Sequence, residues 1–172
     1  NNQEVILLCN QIIKRQPSFL ATYPLLANTY QRIGDSKNAL RYYFEYARYS
    51  EKRNDFKNLS CAYIGIGGIY QTQGEYLKAF DFYKKALELS GESKDRLNEA
   101  VAIRKLAIWH VDRDEYDKAL ELLTKSSEIN RQRQHIYEHR YNLACDYFDI
   151  GLVFTNKDDF AAAKEFYTKS RV

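Results

Sequence analysis

The segment QGEYLKAFDFYKKALEL, residues 73–89, recurs along this 172-residue chain and decides its fold. The equivalent segments are RDEYDKALELLTKSSEI (113–129), KDDFAAAKEFYTKS (157–170) and the weaker IGDSKNALRYYFEYA (33–47). One alanine holds the same place in every copy, at Ala39, Ala79, Ala119 and Ala163. The spacings are therefore 79 − 39 = 40, 119 − 79 = 40 and 163 − 119 = 44 residues. Such internal repetition indicates an array of small supersecondary units.

A second kind of segment precedes each copy and has the periodicity of a helix. The four segments are YPLLANTY (23–30), YIGIGGIY (63–70), IRKLAIWH (103–110) and YFDIGLVF (147–154). Apolar residues at i, i+3, i+4 and i+7 form one face of a helix. The short turns IGDS, TQGE, DRDE and NKDD follow, and Gly or Asp at such places ends one helix and begins another. Each unit is therefore predicted to be two antiparallel helices, with small residues at their close approach: Ala27, Gly67, Ala107 and Gly151.

These residues resemble the tetratricopeptide repeat over nearly the whole chain. The second unit carries Tyr63, Ile66, Gly67, Tyr70, Gly74, Tyr76, Ala79, Tyr83 and Ala86. The fourth carries Tyr147, Ile150, Gly151, Phe154, Phe160, Ala163 and Tyr167. The resemblance implies an all-α fold, a right-handed α-solenoid of stacked antiparallel helix hairpins with about nine helices. The usual repeat has about 34 residues, and the longer period here resembles repeats of bacterial peptide-sensing regulators and of cargo-adaptor or polarity scaffolds.

The repeat register predicts a single array over residues 1–172. Residues 1–17 are expected to form the second helix of a preceding repeat, and the last repeat is expected to be truncated. The repeats are predicted at 20–53, 55–91, 93–132 and 135–172. Because solenoid ends normally need polar caps, the chain is interpreted as an internal slice of a longer array. Tyr46 stands where the first repeat needs a small residue, so its packing on the next repeat is expected to be shifted.

The composition argues against several classes of function. Three cysteines without CxxC spacing are typical of reduced thiols, which favours a cytoplasmic protein. A net charge of +3 does not indicate nucleic-acid binding, and no apolar run reaches the roughly 18 residues of a membrane span. No Ser-His-Asp or Cys-His arrangement can be assembled. We therefore expect no enzyme, no cofactor, no nucleic-acid partner and no membrane contact.

Two overlapping patterns near residue 135 carry alternative interpretations. HIYEH, His135 to His139, matches the HxxEH zinc-protease motif. That chemistry needs a third ligand, and the one Glu that follows, Glu165, lies on the exposed side of a repeat helix. A solvated helical turn is therefore the favoured interpretation. The basic run RQRQHIYEHR (131–140) fits phosphate or an acidic partner, but a solvated helix end is again favoured.

The resemblance also implies a binding surface, because in this family the first helices line a concave groove for an extended or helical peptide. The groove positions are Asn28, Arg32, Ile64, Gly65, Gly68, Arg104, Lys105, Ile108, Phe148, Asp149 and Leu152. Apolar patches beside the basic pair Arg104 and Lys105 predict a peptide with apolar anchors and some negative charge. The chain is thus expected to be a non-enzymatic protein- or peptide-binding scaffold in a larger regulatory protein. The alternative is a structural module that self-associates through uncapped ends or positions an attached catalytic or DNA-binding domain.

The glycines of YIGIGGIYQTQGEY (63–76) need separate explanations. Gly74 is expected to end a helix, and the others lie inside one, which excludes a phosphate-binding loop. Gly65 and Gly68 each cost about 1 kcal/mol relative to Ala. They are interpreted either as a bare strip of backbone for a ligand, or as a destabilising accident that a well-packed array tolerates, or as an unrecognised helix–helix contact. Under the first interpretation, Gly65→Ala and Gly68→Ala raise stability and weaken partner binding.

Overall fold

The protein is all-α, as the repeat pattern predicts. The computed structural model describes residues 1–171, and over that range it contains nine helices joined by turns, with no strand. The helices are α1 (Asn2–Arg15), α2 (Thr22–Arg32), α3 (Ser36–Glu51), α4 (Phe56–Thr72), α5 (Tyr76–Glu92), α6 (Arg96–Val111), α7 (Tyr116–Arg131), α8 (Tyr137–Asn156) and α9 (Phe160–Lys169). Val172, the last residue of the predicted fourth repeat, lies outside the described range.

Helices α1 to α5 form one compact unit, Asn1–Ser93. Each helix packs on the next one along the chain, and α2 also meets α4. The core of this unit is built from side chains that the apolar periodicity places inward, among them Tyr23, Leu26, Ile66 and Ile69, all fully buried. Two successive hairpins, α2–α3 and α4–α5, thus bury a shared apolar core, with α1 packed on α2.

Helices α6 to α9 form the second compact unit, which begins at Lys94. Helix α6 pairs with α7, α8 pairs with α9, and α6 and α7 both contact α8. The core cluster of these hairpins contains Ala107, Ala119, Leu123, Ile150 and Val153. The prediction of one array through both units stays a prediction.

The same backbone turn closes most of the helix junctions. In this turn, the backbone N–H just before the next helix donates to the carbonyl oxygen of the residue five positions earlier. An example is the 2.9 Å hydrogen bond from the Asp35 N–H to the Tyr30 carbonyl. This is the Schellman arrangement, which needs a left-handed residue just after the helix. Gly74 has that conformation, with φ = +77°, so its predicted helix-ending role is confirmed. Asn54, Asp114 and Asp158 adopt it without being glycine.

Two of the predicted close approaches are confirmed by the space beside the glycines. A Cβ added at Gly67 would lie 2.6 Å from Cε1 of Tyr83, and one added at Gly151 would lie 2.8 Å from Cδ1 of Tyr167. Real Cβ atoms do not approach carbon that closely. The glycines therefore let the tyrosine rings of the second helices pack directly on the backbone of the first helices.

Tyr46 departs from the repeat pattern, which needs a small residue at this position, but its side chain fits inside the core of the first unit. Its side chain is buried, and its hydroxyl donates to Oδ1 of Asn58 at 2.8 Å. Asn58 is held in turn by Asp55, whose carboxylate accepts from both the backbone N–H and the side-chain amide of Asn58. The large side chain of α3 thus reaches the capped start of α4 within the first unit.

Candidate partner-binding site

In the second unit, the predicted groove residues lie together on one surface. Arg104 is on α6 and Asp149 is on α8, and these helices pack against each other. Lys105 and Ile108 follow on α6 and are partly buried. Phe148 and Leu152 of α8 remain 52% and 40% exposed. Two large apolar side chains are therefore exposed to solvent beside a charged cluster.

A shallow cleft of about 300 Å³ opens at this surface. Its lining residues are Arg104, Tyr141, Ala144, Cys145, Phe148, Asp149 and Ser170. The Phe148 ring lies 5.5 Å from the ring of Tyr167, which supports it from one side. The cleft thus combines an aromatic wall with both signs of charge.

The positive charge of Arg104 is already matched inside the protein. One of its terminal nitrogens lies 3.5 Å from Oδ2 of Asp149, and its Nε lies 3.7 Å from Oδ1 of Asp146. Burial raises the pKa of Asp149, and the Arg104 guanidinium opposes that rise. For Lys105, burial and the neighbouring Arg104 lower the pKa, while Asp149 counteracts this. The Asp149 carboxylate lies beside both basic groups, so the pair supplies less net positive charge for an anionic ligand than the sequence suggests.

Behind the cleft is a buried polar chain that sequence reasoning missed. Asn130 donates to Oδ2 of Asp146 at 2.7 Å, and Oδ1 of Asn130 lies 2.9 Å from Nδ1 of His139. All three side chains are buried. Because Asn130 offers an oxygen to His139, Nδ1 must carry the imidazole proton for this hydrogen bond to form.

The hydroxyl of Ser126 shows which form of Asp146 suits this chain. Its Oγ lies 3.0 Å from the carbonyl oxygen of Ala100 and 2.9 Å from Oδ1 of Asp146. A hydroxyl has one proton to donate. A protonated Asp146 donates to Ser126, which then donates to Ala100, so every atom is satisfied. Burial, opposed by the hydrogen bonds and by Arg104, raises the pKa of Asp146 to about 7.

In the first unit, the predicted positions are spread along α2 and α4. Asn28 is exposed, but its Oδ1 accepts a 2.7 Å hydrogen bond from the hydroxyl of Tyr43. Arg32 is exposed and reaches back to Thr29. Ile64 is partly buried.

Gly65 is not a bare strip of backbone, and this part of the prediction is wrong. A Cβ added there would lie 2.7 Å from Cδ1 of Tyr43 and still closer to Cε1 of the same ring. The unrecognised helix–helix contact is therefore the correct interpretation for Gly65. At Gly68, by contrast, the nearest atom to an added Cβ is the Tyr83 hydroxyl at 3.9 Å. Of these two glycines, Gly68 is the one with room for an added Cβ.

The histidines of the HIYEH pattern do not face each other as metal ligands. His135 is exposed in the turn before α8, whereas His139 is buried and bonded to Asn130. Burial and the nearby Arg133 lower the pKa of His139, which favours the neutral ring. Over residues 1–171, no group of three or more His, Cys, Asp and Glu side chains is placed to hold a metal ion. Nor does that range contain a helix long and apolar enough to cross a bilayer.

Comparison with known proteins identifies the family. Tetratricopeptide repeat profiles match residues 23–55, 58–132 and 147–170, which together span most of the chain. The chain belongs to the tetratricopeptide repeat family. The matched segments contain all eleven predicted groove positions, from Asn28 to Leu152, and each of the predicted alanine anchors.

Relatives and solved structures agree with this tetratricopeptide assignment. The chain is 25% identical over 164 residues to response regulator aspartate phosphatase I of Bacillus subtilis (strain 168). The alignment covers 87% of this chain but only 40% of the length of that relative. Apo RapI superposes with a TM-score of 0.75 at 18% identity, covering 88% of this chain and 54% of RapI.

Two further structures share the fold at low identity. MamA gives a TM-score of 0.62 at 22% identity, over 96% of this chain and 84% of MamA. A kinesin light chain protein of Podosopora anserina with TPR-like repeats gives 0.67 at 16% identity, over 99% and 85%. At these identities the superpositions show a common tetratricopeptide fold.

Proposed function

We propose that this tetratricopeptide chain is a non-catalytic scaffold that binds a protein or peptide partner through its first helices. The observation that carries the proposal is the pairing of two exposed apolar side chains, Phe148 and Leu152, with the cleft beside Arg104 and Asp149. Exposed aromatic and aliphatic anchors next to polar groups are the usual make-up of peptide-binding grooves. Lys105 and Ile108 of α6 are proposed to extend this surface, and the predicted positions on α2 and α4 are proposed to form a binding surface of the first unit.

The proposal is tested by selecting ligands from a displayed library of random linear peptides against the protein. Enriched peptides are then titrated against Phe148→Ala and Leu152→Ala. Truncating a binding anchor typically costs more than about 1 kcal/mol, and about 1.4 kcal/mol is a tenfold loss of affinity. We expect roughly that loss for each variant.

A matched control is available at Leu77 in the first turn of α5. Its side chain is 72% exposed and lies on a second helix rather than a first helix. Leu77→Ala should leave the affinity of the same peptides unchanged. Equal affinities for the wild type and for all three variants would reject the proposed surface, and a library that yields no binding peptide would reject peptide binding altogether.

The relative suggests the class of partner. By its name, that Bacillus subtilis protein is a phosphatase acting on response regulator aspartate. We propose that this chain likewise meets a signalling protein of the bacterial cytoplasm. A panel of purified receiver domains, measured by calorimetry against the wild type and Phe148→Ala, tests this class. Binding by none of them would restrict the proposal to peptides.

The alternative function, a structural module that self-associates, makes a different prediction for the mass of the protein in solution. Self-association through the ends of the array would give a mass that rises with concentration in light scattering. A partner-binding scaffold gives a constant monomer mass. We expect the constant mass.

A further inference from the structure

We propose that a cationic pocket beside the cleft binds the acidic side chains of the same partner, so that the preferred partner segment carries Asp or Glu next to its apolar anchors. This inference rests on the proposed function and adds the charge of the partner. The pocket is formed where the end of α7, the start of α8 and the end of α9 meet. Its lining residues are Arg131, Gln134, Arg140, Leu143, Ala144, Tyr147 and Lys169.

The pocket has a volume of about 230 Å³, enough for one or two side chains. Backbone hydrogen bonds fix the positions of the residues at its rim. The amide of Gln134 donates to the carbonyl of Arg131 at 3.4 Å, and the amide of Arg140 donates to the carbonyl of Ile136 at 3.0 Å. Arg131 and Arg140 therefore start from ordered backbone on two different helices.

The two arginines have no acidic partner within the described residues. Neither Arg131 nor Arg140 has a carboxylate of residues 1–171 within ion-pair distance, and both are exposed. Arg140 lies over the ring of Tyr137, with 5.8 Å from its guanidinium carbon to the ring centre. Lys169, the third cation, pairs with Glu165. Unmatched positive charge therefore lies at this pocket, whereas Arg104 has the carboxylate of Asp149 within ion-pair distance.

The floor of the pocket is apolar and continuous with the cleft. Leu143 is buried, and the ring of Tyr147 lies 6.1 Å from that of Phe166. Ala144 lines both the pocket and the cleft, and the consecutive residues Lys169 and Ser170 line one each. A single extended segment crossing α8 at Ala144 can therefore place an apolar residue in the cleft and a carboxylate between the arginines.

Guanidinium groups favour carboxylates because their fork of donors matches the two carboxylate oxygens. An apolar floor under two unpaired guanidiniums therefore fits an acidic protein segment with aliphatic or aromatic neighbours. A bare inorganic anion would use the cations but leave the floor uncovered. The proposed ligand is therefore a peptide segment that combines Asp or Glu with an apolar residue.

The experiment repeats the peptide selection on three charge variants. Arg131→Glu/Arg140→Glu reverses the pocket, and Arg131→Gln/Arg140→Gln neutralises it. The matched control, Lys125→Glu/Lys164→Glu, makes the same change of charge at two exposed lysines of the second unit that do not line the pocket. Far-ultraviolet circular dichroism melts confirm that all three variants fold.

We expect wild-type selection to enrich peptides rich in Asp and Glu. One such peptide should bind the reversed variant about tenfold more weakly or worse, the neutral variant a few-fold more weakly, and the control as tightly as the wild type. Its Glu→Gln version should bind the wild type and the reversed variant with similar affinity. Inorganic phosphate at the same concentration should not displace it from the pocket.

The possible failures are distinguishable. Wild-type peptides that depend on Phe148 but show no acidic excess would overturn the pocket and leave the proposed function standing. An acidic excess that survives in the reversed variant, or a loss of affinity that the control reproduces, would also overturn the pocket. Peptides indifferent to Phe148 and Leu152 would overturn the proposed function itself.

Discussion

Gly65→Ala is expected to destabilise the protein, although alanine is the better helix former. The change adds one methyl group to α4, and that methyl would meet the ring of Tyr43 at 2.7 Å from Cδ1 and closer at Cε1. Tyr43 is only 4% exposed, and its hydroxyl is bonded to Asn28. Moving the ring away from the added methyl would therefore strain or break that bond in a buried environment.

The magnitude follows from three contributions. Overpacking costs about 1–3 kcal/mol, and losing the Tyr43–Asn28 hydrogen bond costs about 1 kcal/mol. Replacing a helical glycine by alanine returns about 1 kcal/mol. The free energy of unfolding should therefore fall by about 1–3 kcal/mol. Gly68→Ala should instead raise the free energy of unfolding by about 1 kcal/mol, because the atom nearest to its added Cβ, the Tyr83 hydroxyl oxygen, is 3.9 Å away and does not clash.

Urea unfolding followed by circular dichroism measures both values, and a double-mutant cycle assigns the cause. In a Tyr43→Ala background the clash is gone, so adding Gly65→Ala should be neutral or stabilising by up to about 1 kcal/mol. A single Gly65→Ala variant as stable as the wild type would refute the argument. So would a destabilisation that persists unchanged without the Tyr43 ring.

Three further predictions concern buried polar groups. Folded Asp146 keeps its proton up to about pH 7, whereas the unfolded side chain loses it near its ordinary pKa of 3.8. The free energy of unfolding should therefore fall as the pH rises between these two values, by up to about 1.4 kcal/mol per pH unit. Asp146→Asn should flatten this dependence of the free energy of unfolding on pH, as measured with urea. His139→Leu removes the donor to the buried Oδ1 of Asn130, so the free energy of unfolding measured with urea should fall by about 1–3 kcal/mol. The control His135→Leu, at an exposed position, should lower it by under about 0.5 kcal/mol. Tyr46→Phe loses the bond to Asn58 and should cost about 1 kcal/mol in the same assay.

The architecture could be predicted from the sequence because the same local pattern recurs in each of the four repeats. The apolar face, the small residue at the close approach and the turn residue all depend on local spacing, so Gly67, Gly74 and Gly151 could be assigned before any coordinates. Gly65 could not be assigned in this way. Its partner Tyr43 belongs to the preceding hairpin, and which ring meets which backbone is decided by packing between hairpins.

The buried chain of Asp146, Asn130 and His139 was missed for a related reason. Of these polar side chains, only His139 was given a place from the sequence, in a solvated helical turn, and its burial shows that this interpretation is wrong for His139. Asp146 lies three residues after Leu143 and four before Ile150, inside the apolar stripe of α8. A polar residue inside such a stripe is a signal of a buried hydrogen bond. Its partners on α7 could not be named from spacing alone.

The charge at the candidate site was misjudged from sequence for a third reason. Arg104 and Lys105 are adjacent in the chain, which suggested a basic surface. Asp146 and Asp149, more than forty residues later in numbering, are brought against Arg104 only by the packing of α8 on α6. The net charge of a surface depends on such pairs of residues that are distant in sequence. Sequence spacing reveals the basic residues but not the acidic residues that fold against them.

The shared turn geometry has a consequence for how such chains change in evolution. The same amide-to-carbonyl bond closes the joint inside a hairpin, as at Asp35, and the joint between two hairpins, as at Asp55, where its partner is Ser50. A gene duplication or deletion that begins and ends at these joints therefore produces ends that already fit one another. Array length can vary by whole hairpins without inventing a new connection.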